Sequence, residues 1–201
     1  MQEAFPWTRQ ASFPAQMLAS LRELNHRFLD LAAAHSGHLG MLGEAAAHIA
    51  RLSPLQRSAA ADCPYALFDL RFHDDAHWRA RLGEAWGVAD DAAVAEAGTA
   101  EEVAAFVRLA LFYAWHLASM PKLGAQLWLG MAERTAAAFR GARLERLPAL
   151  AASEACNLSA RWCTSTFYWR ALASAAALGD SRRLRRVQLF GLQLGASLLL
   201  P

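Results

Sequence analysis

The sequence predicts an all-α protein: a single-domain multi-helix bundle of about eight helices around a buried central helical hairpin. Three observations support this prediction. The 201 residues are rich in alanine and poor in glycine, proline and β-branched side chains, so few strands can be built from them. Apolar residues recur at helical spacing along most of the chain. Between residues 103 and 120 nearly every side chain is apolar, which indicates a helix buried on most of its sides.

The central hairpin is predicted to run from Thr99 to Gly141. Thr99 and Glu102 have the spacing of a capping box, which starts a helix by satisfying two backbone amides. Pro121 ends or kinks this first helix, and Gly141 suits the end of the second. The first helix approaches the length of a membrane span, but Arg108 lies inside it and no basic flank marks its end. We therefore expect a buried helix and no transmembrane segment.

The other elements are predicted around this hairpin within a single domain, 1–201. Residues 1–13 are expected to be an N-terminal arm docked on the body, because their aromatic side chains would otherwise be exposed. Residues 84–98 are expected to be a mobile acidic, alanine-rich connector. The remaining helices are predicted over residues 14–34, 38–51, 54–62, 74–82, 148–179 and 181–200, with an interruption of 148–179 near Asn157 or Thr164.

Two local patterns between residues 53 and 72 predict short elements. Ser53 and Gln56 flank Pro54 in a capping arrangement that begins a short helix. Residues 65–72 alternate in a way that suits a β-strand, and no other stretch of the chain does so. Because an isolated strand would have no partner, we interpret them as a helical turn or an extended linker.

Charge is unevenly distributed although the net charge is only +2. From Arg140 onward nine arginines stand against three carboxylates, a balance of +6, whereas the preceding residues carry −4. This asymmetry favours an anionic partner for the last third. Lys122 is the only lysine, which suggests a GC-rich genome of the bacterial type.

The three cysteines are too few for a disulfide scaffold and indicate a reducing compartment. Of these, Cys156 and Cys163 are expected to be buried as small apolar residues. The first residues lack the pattern of a secretory signal. We therefore expect a cytoplasmic protein.

His73, Asp74 and His77 are weak candidates for a metal site, because two histidines four residues apart on a helix can converge on one ion. If Asp74 caps the helix, however, His73 lies outside it. The motif therefore favours two surface histidines beside a capping aspartate, and we predict neither a metal nor a cofactor. Four further histidines are expected to be ordinary polar-face or turn residues: His26, His35, His38 and His48.

Cations and aromatic residues alternate between residues 161 and 170, a run that includes Arg161, Trp162 and Trp169. Such mixtures bind single-stranded nucleic acid or protein partners. The other interpretation, which the composition favours, is a core-facing aromatic cluster with arginine at its edge.

The last helix begins with the sharpest local feature of the sequence, the four arginines Arg182, Arg183, Arg185 and Arg186. They stand at the end of a helix where the dipole prefers anions. We expect them to pair with the acidic first part of the chain or to bind an anionic partner. Further along, Leu184, Val187, Gly191, Leu194 and Leu198 form an apolar stripe, and Gly191 and Gly195 form a G-x-x-x-G pair. That stripe would pack inside the chain, form a homodimer seam, or lie on a membrane surface.

The sequence contains no glycine-rich phosphate loop, nucleophile elbow, CxxC pair or spaced carboxylate dyad. These absences remove several enzyme classes and leave others open. The leading hypothesis is a non-enzymatic helical adaptor or regulator that acts through protein–protein contacts, with another protein or with itself. One alternative is a nucleic-acid-binding regulator that contacts phosphates through the basic last third, including Arg140, Arg143 and Arg146. The other is a helical protein that binds a small molecule or a metal.

Overall fold

The computed structural model describes residues 12–35, 43–83, 97–120 and 123–197. Within these ranges the chain forms ten α-helices and one two-stranded sheet, which confirms the predicted all-α, multi-helix fold. The helices are α1 (Ser12–Ala34), α2 (Gly43–Ala50), α3 (Pro54–Ala61), α4 (Asp75–Leu82), α5 (Ala97–Ala118), α6 (Leu123–Leu129), α7 (Glu133–Gly141), α8 (Leu147–Glu154), α9 (Thr166–Ala177) and α10 (Ser181–Ser197). The strands are β1 (Phe68–Asp69) and β2 (Ser159–Ala160), and short 3₁₀ turns precede and follow α8 (Leu144–Arg146 and Ala155–Asn157).

Helix α5 occupies the centre and packs against α1, α6, α7 and α8. Its buried face includes Phe106, Val107 and Leu111, as the apolar sequence predicted. The solvent-exposed face of α5 is wider than predicted, because the apolar Leu109 is exposed beside Arg108. The helix also begins at Ala97, two residues before the predicted capping box, so Thr99 does not mark its start.

The second arm of the predicted hairpin is two helices, α6 and α7, and not one. The break falls at Gly130, whose φ of +68° lies in a region that side chains other than glycine rarely adopt. Extended backbone follows, and the amide of Ala132 donates to the carbonyl of Phe72. The second helix ends at Gly141, as predicted.

Helix capping follows the sequence closely at two sites. Ser53 and Gln56 form the reciprocal capping box of α3, with hydrogen bonds of 2.8 and 3.3 Å. Asp74 caps α4 by accepting from the amide of His77 at 2.9 Å. Both caps use contacts within three residues, which is why the sequence predicts them well.

Within residues 65–72, Phe68–Asp69 forms strand β1, and the prediction that this stretch lacks a strand partner is wrong. Phe68 pairs with Ala160 and Asp69 with Ser159 in an antiparallel bridge. The pairing joins segments about ninety residues apart. Strand β2 interrupts the helical stretch predicted over 148–179 close to Asn157, one of the two positions at which a break is predicted. All six apolar or aromatic side chains of this stretch are buried: Tyr65, Ala66, Leu67, Phe68, Leu70 and Phe72.

The core forms one cluster through the described helices. Phe28 of α1 lies 6.0 to 6.5 Å, ring centre to ring centre, from Phe68, Phe106 and Trp169. These contacts hold α1, β1, α5 and α9 together.

Two predicted segments lie mainly outside the described residues. Of the N-terminal arm 1–13, only residues 12–13 are described, as the start of α1. Of the connector 84–98, only residues 97–98 are described, as the start of α5. Among the helices in the described ranges, none combines the length and the apolar character that crossing a membrane requires.

Candidate interaction surface

The three residues considered for a metal do not converge. His73 is exposed, and its Nδ1 lies 3.6 Å from the carboxylate of Asp69, an interaction that is the main reason that the pKa of His73 is raised. Asp74 accepts the amide of His77 and pairs with Arg71; the two contacts, in that order, lower the pKa of its carboxyl. The side chain of His77 turns instead to Glu154. In the part of the chain that is described, no three His, Cys, Asp or Glu side chains form a group able to hold a metal ion.

Glu154 is fully buried and joins α4 to α8. Its Oε2 lies 2.8 Å from Nε2 of His77 and accepts from the amide nitrogen of Asn157, also at 2.8 Å. Its Oε1 forms an ion pair with Arg81 at 2.9 Å, although the donor is not aligned for a hydrogen bond. This network was not predicted, because 77 residues separate Glu154 from His77 and no local pattern marks it.

The histidines in and next to α1 and α2 have separate surroundings. His26 lies 3.2 Å from Asp30 on the same helix, and His35 pairs with Glu102 of α5 at 2.9 Å. His48 is half-buried, and His38 lies outside the described residues.

The cysteines differ in exposure. Cys63 is buried, and burial raises the pKa of its thiol to about 12. Cys156 is exposed and Cys163 half-buried, so the expectation that both are buried is wrong for Cys156.

The alternating run of cations and aromatic residues is divided between the interior, which holds Arg161, Tyr168 and Trp169, and the surface, where Phe167 and Arg170 are exposed. Arg161 is 4% exposed and Trp169 1% exposed, while Trp162 is half-buried. Nη1 of Arg161 donates to the carbonyl of Trp128 at 3.0 Å, and its guanidinium lies 4.6 Å from the ring centre of Trp162. A cation at the carboxyl end of α6 is favourably placed with respect to the helix dipole. A partner would reach Arg161 and Trp169 only if the helices above them moved.

The G-x-x-x-G pair of α10 packs inside the chain, against side chains. A Cβ on Gly191 would lie 2.1 Å from Oη of Tyr65, and one on Gly195 would lie 3.4 Å from Nη2 of Arg161. Leu184 is buried on the same face of the helix. Leu198 lies outside the described residues, and the described part of the apolar stripe of α10 is occupied by contacts within the chain.

The four arginines at the start of α10 are all exposed. Asp180 caps the helix by accepting the amides of Arg182 and Arg183, both at 3.0 Å. The same carboxylate lies 3.2 Å from Nε of Arg183. Among the described residues, Arg182, Arg185 and Arg186 have no ion-pair partner, so the expected pairing with the acidic first part of the chain is not observed.

Helices α9 and α10 form an antiparallel pair, because a tight turn at Gly179 joins them and Phe167 contacts Phe190 with ring centres 5.8 Å apart. Three large apolar side chains on this pair are exposed: Phe167 by 63%, Leu178 by 65% and Leu189 by 60%. Arg170 on α9 is also exposed and has no ion-pair partner among the described residues. We call the outward side chains of the pair the α9–α10 surface: Phe167, Arg170, Leu178, Arg182, Arg183, Arg185, Arg186 and Leu189.

Four concavities lie between other described helices. One of about 220 Å³ is bounded by α5, α6 and α7 and includes Glu133 and Arg140. The other three are open depressions, and tryptophan lines none of the four. The exposed apolar and cationic side chains of the α9–α10 surface line none of these four concavities.

Comparison with known proteins adds no further information. No model of a known protein family matches the chain, and no curated protein or solved structure shows significant similarity to it.

Proposed function

We propose that the protein is a non-enzymatic, cytoplasmic helical adaptor or regulator that binds a protein partner through the α9–α10 surface. The observation that carries this proposal is the combination of exposed apolar side chains with exposed arginines that lack ion-pair partners in the described ranges. Exposed apolar patches that polar residues surround are typical of protein interaction sites. Arginine and aromatic residues are also enriched among the side chains that contribute most to protein binding.

Self-association through the apolar stripe of α10 receives less support. Leu184, Gly191 and Gly195 are already buried within the chain. A dimer that used them would first have to separate α10 from the body. A second copy could still bind the outward face of the helix.

Nucleic-acid binding is the second candidate, since the unpaired arginines of α10 also suit phosphates. The basic last third offers fewer arginines for phosphate binding than the sequence suggested. Two of its other arginines donate hydrogen bonds to backbone carbonyls instead. Arg140 donates to Ala118, and Arg146 donates to Leu82 and Gly83.

A photo-crosslinking side chain introduced at Leu189 tests the proposal in the host cell. We expect a specific protein to be captured there, and we expect the Arg182→Ala/Arg186→Ala double variant to lose it. The matched control places the same crosslinker at Ala137, an exposed position on α7. Capture of identical material from both positions, or capture that survives the double variant, would contradict the proposal. Capture of nucleic acid alone would favour the second candidate.

A further inference from the structure

We propose that the partner of the α9–α10 surface is an acidic protein segment with two apolar side chains about 16 Å apart and carboxylates between them. This inference rests on the proposed function and specifies the chemistry of the segment that binds.

Charge supplies the first argument. Helices α9 and α10 carry five arginines against one carboxylate, Asp180. That carboxylate is already used, because it caps α10 and pairs with Arg183. Arg182 and Arg186 stand one turn apart on the outward face, and Arg170 lies on the neighbouring helix. Like charges so placed repel each other and oppose the helix dipole, so carboxylates from a partner would relieve both effects.

The spacing of the apolar side chains supplies the second argument. Phe167 and Leu178 are eleven residues apart, and α9 continues in helical conformation to its last residues. In an α-helix, positions eleven residues apart are about 16 Å apart along the axis and differ by three full turns plus about 20°. The two side chains therefore lie on one stripe of the helix surface. Arg170 and Ser174 lie between them, and both are exposed. The stripe is thus apolar at both ends and cationic within.

A protein segment fits this stripe better than a nucleic acid does. Phosphates would satisfy the arginines, and a base could stack on Phe167. Leu178 is aliphatic and offers no stacking surface, yet it is as exposed as Phe167. An apolar side chain from a protein would cover either residue.

The test uses a synthetic probe, an alanine-based helical peptide with two leucines eleven residues apart and two glutamates between them. A second peptide carries glutamine in place of glutamate. We expect the acidic peptide to bind the full-length protein at low ionic strength. Arg170→Ala or Arg186→Ala should each weaken binding about threefold, as for an exposed ion pair. Phe167→Ser or Leu178→Ser should each weaken it about five- to tenfold.

Matched control variants are available on other faces of the molecule. Arg134 on α7 and Leu144 before α8 are both exposed. We expect Arg134→Ala and Leu144→Ser to leave the peptide's affinity unchanged. The inference is overturned if the glutamine peptide binds equally well. It is also overturned if a single-stranded oligonucleotide or an anionic vesicle binds more tightly than the peptide and is unaffected by Phe167→Ser and Leu178→Ser.

The crosslinking experiment separates this inference from the proposed function. A protein captured from Leu189 through a neutral or basic segment would overturn the inference and leave the proposed function standing. Absence of any captured protein that depends on Arg182 and Arg186 would overturn the proposed function, whatever the peptides do.

Discussion

Single side chains explain why the interior of this protein tolerates charge. Glu154 is a fully buried carboxylate that contacts His77, Arg81 and Asn157. Burial of a carboxylate is unfavourable by several kcal/mol unless cations and hydrogen-bond donors surround it. The helix cap at Asp74 was predictable from the sequence, because its contact is with a residue three positions away. The burial and pairing of Glu154 were not, because its partner His77 on α4 is 77 residues away.

Replacement of Glu154 should therefore destabilise the fold. We expect Glu154→Ala to lower the free energy of unfolding by about 1 to 3 kcal/mol, because the half-buried Arg81 and His77 and the amide of Asn157 lose the buried carboxylate that they contact. Urea denaturation followed by circular dichroism measures this change. Glu145→Ala, at an exposed carboxylate, is the control and should change stability by less than about 0.5 kcal/mol. Equal effects of the two variants would mean that the buried network contributes little.

Cys63 gives a second prediction at this scale, on pH. Because burial raises the pKa of its thiol to about 12 from 9.0, the folded protein keeps this proton over a range in which the unfolded chain loses it. The stabilisation is complete below pH 9 and decreases as pH rises from about 9 to 12. We expect Cys63→Ala to make alkaline unfolding less steep, by up to about 1 kcal/mol per pH unit. Cys156→Ala, at an exposed thiol, should leave the slope unchanged; an unchanged slope in Cys63→Ala would refute the prediction.

At the scale of helices and strands, local signals were predictable and distant ones were not. The capping box at Ser53 and the end of α7 at Gly141 follow from neighbouring residues. The break at Gly130 does not, because Arg161 fills the space beside it from another part of the chain. Likewise, the pairing of β1 with β2 depends on a partner far along the sequence.

The seating of α10 on the body gives a prediction for a whole helix. Gly191→Ala would place a methyl group 2.1 Å from Oη of Tyr65, which is too close for the helix to keep its position. We expect a loss of about 1 to 3 kcal/mol in the free energy of unfolding and faster amide hydrogen exchange throughout α10. Gly141→Ala is the matched control, since nothing lies within 4 Å of the added atom. If Gly191→Ala exchanges as slowly as the parent protein, α10 does not pack as described.

For the molecule as a whole, composition predicted the helical class, and the buried α5 was evident from its sequence. The excess of positive charge in the last third was also evident, but which arginines are free was not. Arg161, Arg140 and Arg146 belong to the same basic third and are engaged internally, whereas Arg182, Arg185 and Arg186 have no partner in the described ranges. Only the packing of helices against each other separates the two groups.

The claim that the α9–α10 surface binds the partner is tested most directly with the Arg182→Glu/Arg186→Glu variant. The measurement is the affinity of this variant for the partner protein, purified after the crosslinking experiment has identified it. A matched variant, Arg79→Glu/Arg134→Glu, reverses two exposed arginines on α4 and α7. If the α9–α10 surface binds the partner, the first variant should bind about a hundredfold more weakly, because like charges then face each other, and the second should bind as the parent protein does. Equal affinities for the two variants would contradict the claim.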